Sequence, residues 1–210
     1  MTNKAVNLLN EWADFDTAHP DAELSDFCRH YLARQRQKKV QGPMAGGAIP
    51  QGTDGLLLKL IGRINKLNMN YTGSALEGTG LHQVEELGIL LTVQQQKNPR
   101  KTEIIHNNLF KLTSGTNLIG RLKDRGLIKE YDDDDDKRSK RIELTPAGRA
   151  AIELARTRMG KVSKMMVNDL SDDDKNLCIA LLKNIDIKYS ALWLSHRGKT
   201  FDDIYDEVME

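Results

Sequence analysis

The sequence predicts a mainly α chain with one small β-hairpin. Apolar residues recur every three to four positions along most of its length, the spacing of helices packed on one face. The period changes only once, at "GLIKEY" and "SKRIELT", two extended segments that flank a run of aspartates and so read as a hairpin. Just ahead of it, "TEIIHNNLF" and "TSGTNLIGRLKDR" read as two short helices joined by a tight turn at Lys111 and Leu112.

Residues 1–39 form an N-terminal arm with two amphipathic patches, "AVNLLNEWADF" and "LSDFCRHYLARQ". They are too small to build a core alone and are expected to dock on the main body or on a partner subunit. Residues 40–55, "VQGPMAGGAIPQGTDG", have no apolar period and are rich in Pro and Gly, the composition of a flexible linker. A helix is expected over 56–78, where Leu57, Ile61, Ile64, Leu67 and Tyr71 form one stripe, and another from about residue 81 to 95. In the second helix of the tight pair, Leu118, Ile119 and Leu122 face one way, and Ser114, Asn117 and Arg121 face another. Gly126 stands where a helix C-terminal glycine belongs. With the hairpin, this makes a unit over 79–145.

Thr145-Pro146 is a helix start, with Thr145 as N-cap and Pro146 in the first turn. Two helices fill 146–195: one carries the stripe from Ile152 to Leu170, and the next is capped by Ser171 and continues through Leu177, Leu181, Ile185 and Tyr189. Residues 196–210 are left as a C-terminal tail. The stripes exceed what a small helical unit can cover, so a two-fold homodimer is expected, built from the helix of 56–78 and the two C-terminal helices.

Composition narrows the class. A chain of 210 residues that is 39% hydrophobic can bury a core, and it holds neither a membrane-length apolar run nor a signal-peptide pattern. A cytoplasmic protein without a membrane partner is expected. The two cysteines make no disulfide or metal framework, the five histidines lack ligand spacing, and there is neither a nucleophile motif nor a phosphate loop. An enzyme, a cofactor and a bound metal are therefore not expected. Cys28 has Arg29 and His30 beside it, which would favour a reactive thiolate, but also Phe27, which points to burial.

The stretch "YDDDDDKRSKRIELT" admits several readings. "DDDDK" matches a protease tag, yet both flanks belong to one hairpin rather than to a junction. Asp132, Asp134, Asp136 and Glu143 have the spacing of calcium-loop ligands. Against this, Lys137 stands where such a loop needs glycine, Arg138, Lys140 and Arg141 would oppose a cation, and the flanks are strands instead of helices. A hairpin wing is the reading that remains.

The segment "GLIKEYDDDDDKRSKRIELTPAG" resembles the wing of the MarR (multiple antibiotic resistance regulator) family, with Asp136, Arg138, Ser139, Leu144, Thr145 and Gly148 on its pattern without a gap. The resemblance runs from about residue 57 to 194. It implies a winged helix-turn-helix DNA-binding domain plus an α-helical dimerisation domain. It further implies a homodimer on a pseudo-palindromic double-stranded DNA operator and a small organic effector, in the family often a phenolic or lipophilic anion.

Thr113, Ser114, Thr116, Asn117 and Arg121 resemble the positions from which the family reads the major groove; asparagine pairs with adenine and arginine with guanine. Arg138 resembles the wing arginine that enters the minor groove, and Asp136 would hold the tip that aims it. Lys137 and Lys140 are expected at the DNA backbone beside it; Lys111 and Lys123 read as phosphate contacts or solvated charges.

Glu130 departs from the family, which often has a basic residue there. Asp132 to Asp135 read as a solvated tip pointing away from DNA, or as charges that limit non-specific affinity or hold a cation. The acidic tip and Glu130 leave a second function open: a winged-helix interaction and dimerisation module without specific DNA binding.

Overall fold

The computed structural model describes residues 3–37, 47–133 and 136–210. The chain divides into two compact units, Met1–Pro50 and Gln51–Glu210. Residues 40–46 of the expected linker, and Asp134 and Asp135 of the aspartate run, lie outside the described residues.

The first unit pairs α1 (Lys4–Ala18) with α2 (Leu24–Gln37). Asn3 caps α1 by accepting the Ala5 N–H at 3.0 Å. The two helices meet through aromatic rings: Trp12 stands edge-on to Phe27 at 5.0 Å, and Phe15 lies 5.6 Å from it. Phe27 is buried by these contacts while Cys28 beside it is exposed. Arg29 is ion-paired with Asp26, so its charge is already engaged.

The second unit begins with α3 (Thr53–Leu76), so residues 53–55, read as linker, belong to a helix. This helix packs along α7 (Pro146–Met166). Between them in sequence lie α4 (Val84–Gln96), α5 (Lys101–Asn107), α6 (Leu112–Asp124), β1 (Ile128–Asp132) and β2 (Lys140–Leu144). Leu112 opens α6 instead of forming the turn, which falls at residues 108–111. Leu90, Ile104, Ile119, Leu122, Ile142 and Ile152, drawn from four helices and the hairpin, are fully buried in one core. Each such side chain contributes about 1.5–3 kcal/mol by leaving water.

The strands are antiparallel, with Ile128 opposite Leu144 and Asp132 opposite Lys140. Strand β2 is also clipped to the α4–α5 loop, where the Ile142 N–H donates to the Pro99 carbonyl at 3.0 Å. The turn into β1 is a Schellman ending of α6. Gly126 adopts φ +69°, its N–H reaches the Lys123 carbonyl at 2.8 Å, and the Leu127 N–H reaches that of Leu122 at 3.0 Å.

Thr145 caps α7 by accepting the Gly148 N–H at 3.1 Å, and its own hydroxyl donates to the Gly126 carbonyl at 2.6 Å. Gly148 lets the first turn of α7 approach the Leu127 backbone; a Cβ there would lie 2.1 Å from the Leu127 carbonyl oxygen.

The C-terminal part differs from the sequence reading in two ways. The stripe of α7 is partly covered within the chain, because Ile152, Ala155 and Val162 are buried and Met159 packs on the core. The residues read as a tail contain α9 (Phe201–Met209), capped by Thr200, which accepts the Asp203 N–H at 3.3 Å. Between these helices, α8 (Asp172–Leu192) starts at Ser171, which accepts the Asp174 N–H at 3.2 Å, and none of its residues is buried.

Candidate nucleic-acid interface

Helix α6 is placed by three contacts. Leu118, Ile119 and Leu122 enter the core. Gly115 lies against Ile105 of α5, so closely that a Cβ would meet the isoleucine at 2.7 Å; the glycine sets how near the two helices lie. At the far end, Arg125 donates to the Gly80 carbonyl at 2.9 Å and pairs at 2.6 Å with Glu86, which is fully buried and also accepts the His82 N–H. Nothing in the spacing of Glu86 and Arg125 marked this anchor, because a first-turn glutamate reads as an ordinary surface charge.

With its apolar side fixed, α6 turns Thr113, Ser114, Thr116, Asn117 and Arg121 to solvent. Ser114, Thr116, Asn117 and Arg121 line one open groove of ≈ 1000 Å³ with Lys101 and Lys123 on its walls. A 13-residue helix is about 20 Å long at 1.5 Å per residue, and a major groove about 12 Å wide admits one.

Glu130 of β1 is also in that groove. Its side chain is 14% exposed and accepts from Lys123 at 2.7 Å and from Lys101 at 3.1 Å. Burial pushes its carboxyl up, but the hydrogen bonds from the two lysines outweigh that and hold it below the usual glutamate value. The stability this bridge contributes is therefore present at and above the ordinary glutamate pKa and is lost as pH falls through the lowered one. Lys123, read as a phosphate contact or a solvated charge, is an internal partner, and its pKa is raised by the hydrogen bond to Glu130.

Within the aspartate run, Asp133 does not stand at a solvated tip. Asp133 is 1% exposed and is held between Arg100 at 2.7 Å and Arg141 at 3.0 Å. Asp132 pairs with Lys140, and Lys129 pairs with Glu143 across the strands. Of the side chains that spaced like calcium ligands, Asp132 and Glu143 are thus engaged with lysines and Asp136 with the turn itself.

Asp136 organises that turn. Its carboxylate accepts the Arg138 N–H at 3.1 Å and the Ser139 hydroxyl at 2.9 Å, and its carbonyl accepts the Ser139 N–H at 2.8 Å. Lys137 and Arg138 are exposed on it. Arg138 and Lys140 share a small cleft with Arg100 and Lys101 at the start of α5, so the wing and the helix pair present one basic edge.

A three-helix core, a helix with its polar face free and a two-stranded hairpin beside it define the winged helix-turn-helix class. The chain has the fold of the MarR regulators. It superposes on a mutant MarR from Escherichia coli complexed with operator DNA with a TM-score of 0.58 at 20% identity, over 61% of this chain and 92% of that one. It also superposes on Bordetella bronchiseptica BpsR, described in terms of regulation of its DNA binding by 6-hydroxynicotinic acid, with a TM-score of 0.57 at 19% identity, over 61% and 97%. In sequence the chain is 27% identical over 131 residues to the HTH-type transcriptional regulator PapX of Escherichia coli, covering 62% of this chain and 80% of that protein. No family model matches the chain.

Proposed function

We propose that the chain is a MarR-type transcriptional regulator that binds a pseudo-palindromic DNA operator as a homodimer. On this reading α6 enters the major groove and the wing follows the minor groove. The observation that carries it is the outward row of Ser114, Thr116, Asn117 and Arg121 on a helix anchored at both ends, next to a hairpin whose tip presents Arg138. Lys137 and Lys140 would stand at the DNA backbone beside Arg138, although Lys140 also pairs with Asp132.

The homodimer is supported by α8. Leu177, Ile179, Leu182, Ile185, Ile187 and Tyr189 are exposed on it, and so much uncovered apolar surface marks an interaction face. Leu57, Ile64, Leu67 and Tyr71 of α3 are exposed as well, and Ile64 lines a crevice with Leu182 of α8. A small organic effector would find room in a crevice of ≈ 320 Å³ between the end of α5 and α8, where Leu109, Trp193 and Leu194 supply apolar walls and His106 and Ser190 polar groups.

The reading as an interaction module without DNA binding rested on Glu130 and the acidic tip. Glu130, Asp132 and Asp133 are paired with basic residues within the chain, which withdraws these three from that support.

The experiment is a binding comparison on operator and random duplexes. Asn117→Ala and Arg121→Ala are each expected to weaken operator binding by about 1–3 kcal/mol and to affect random DNA less, as loss of a bidentate base contact would. Equal losses on both duplexes would reduce the two residues to phosphate contacts. Arg138→Ala is expected to weaken operator binding and to flatten its salt dependence by about one phosphate contact, with the melting temperature unchanged. Unaltered affinity in that variant would contradict the role of the wing.

A further inference from the structure

We infer that Glu130 sets the strength of sequence-independent DNA binding, as an internal counter-anion that withholds Lys101 and Lys123 from phosphate. The inference rests on the DNA-binding reading above and concerns a residue that reading does not use.

Three observations converge on it. First, Glu130 reaches from β1 to both helices of the helix-turn-helix: Lys101 opens α5 and Lys123 lies in the last turn of α6. Second, both lysines line the groove that holds Asn117 and Arg121, beside which a DNA backbone would run along α6. Third, the carboxylate is largely withdrawn from water while Lys123 is half exposed and Lys101 about a quarter exposed. A charge-assisted pair with one member sheltered is screened less than a lysine's contact with a solvated phosphate, so the lysines stay with Glu130.

The cluster then shows a polyanion one net positive charge where two lysines would show two. Base-edge contacts from Asn117 and Arg121 do not depend on these ammoniums. The phosphate term does, and it supplies nearly all of the affinity for random sequence. A regulator that must leave the many competing sites of a genome gains by weakening that term.

A bracing role for Glu130 makes the opposite prediction, because losing the brace would loosen α6 and lower affinity. The test measures binding of the full-length protein to a random-sequence duplex and to its operator across a salt series. It compares wild type, Glu130→Gln, Lys123→Gln and the double variant, with circular dichroism melting to confirm that each is folded.

Glu130→Gln is expected to bind the random duplex several-fold more tightly at low salt, with the slope of log affinity against log salt steeper by about 0.9 for each phosphate gained, so by about 1 to 2. Lys123→Gln is expected to change the slope little in the wild type and to remove about one unit of it from Glu130→Gln. An unchanged slope in Glu130→Gln, or weaker binding with a shallower one, overturns the inference while leaving the DNA-binding reading in place. Absence of binding to either duplex by every variant overturns both.

Discussion

Gly148→Ala is expected to destabilise the fold by about 3 kcal/mol, at the upper end of the usual cost of overpacking, and to shift the urea midpoint without changing its slope. The added Cβ would sit 2.1 Å from the Leu127 carbonyl oxygen, and that atom is backbone, so no side chain can rotate away. The carbonyl is also engaged, since it accepts the Thr145 N–H at 3.1 Å. Relief would have to come from moving the start of α7 away from the end of α6, which breaks the bond from Thr145 to Gly126 as well. Gly120→Ala is the control, because nothing lies within 4 Å of a Cβ there; it should be neutral or slightly stabilising, as alanine is favoured over glycine in a helix. Equal stability of the two variants would show that the helix start is not fixed by this contact.

Asp133→Ala is expected to cost about 2–3 kcal/mol and to loosen the wing. Removing one member of a buried ion pair typically costs 3–5 kcal/mol; here Arg100 and Arg141 are each about a third exposed and can partly rehydrate, which lowers the figure. The loss should be local. Amide exchange should rise most at Ile142, bonded to Pro99 on the α4–α5 loop, and at Ser139, bonded within the turn. Asp132→Ala is expected to cost under 1 kcal/mol, because its pair with Lys140 is exposed. If the two substitutions proved equal in effect, the burial of Asp133 would have no energetic meaning.

The two predictions mark what was legible in the sequence. Thr145-Pro146, Gly126 and the alternation in "SKRIELT" fixed the end of α6, the hairpin and the start of α7 because capping and period-2 patterning are local signals. The polar row on α6 was legible for the same reason: Leu118, Ile119 and Leu122 define the buried side, and Asn117 and Arg121 must then face outward.

What was missed depends on contacts distant in sequence. Asp133 is one of five consecutive aspartates, and its burial depends on the approach of Arg100, 33 residues away, and of Arg141. Glu130 drew notice as a departure from a family pattern, but its pairing with Lys101 and Lys123 required the packing of α5 and α6 under the strand. Gly115, a poor helix former, is a close-packing position against Ile105. The stripe of α7 was read as dimer surface, and part of it packs on the chain's own core, because periodicity shows that a face is buried without showing against what.

The central claim is sequence-specific DNA binding through α6 and the wing. Titrating the intact protein against a duplex from its own upstream region and a random duplex of equal length, over a salt series, tests it most directly. The account predicts binding to the upstream duplex on the order of 10³-fold tighter or more, with affinity for both falling linearly in log salt. Equal affinity for the two duplexes at every salt concentration would contradict it.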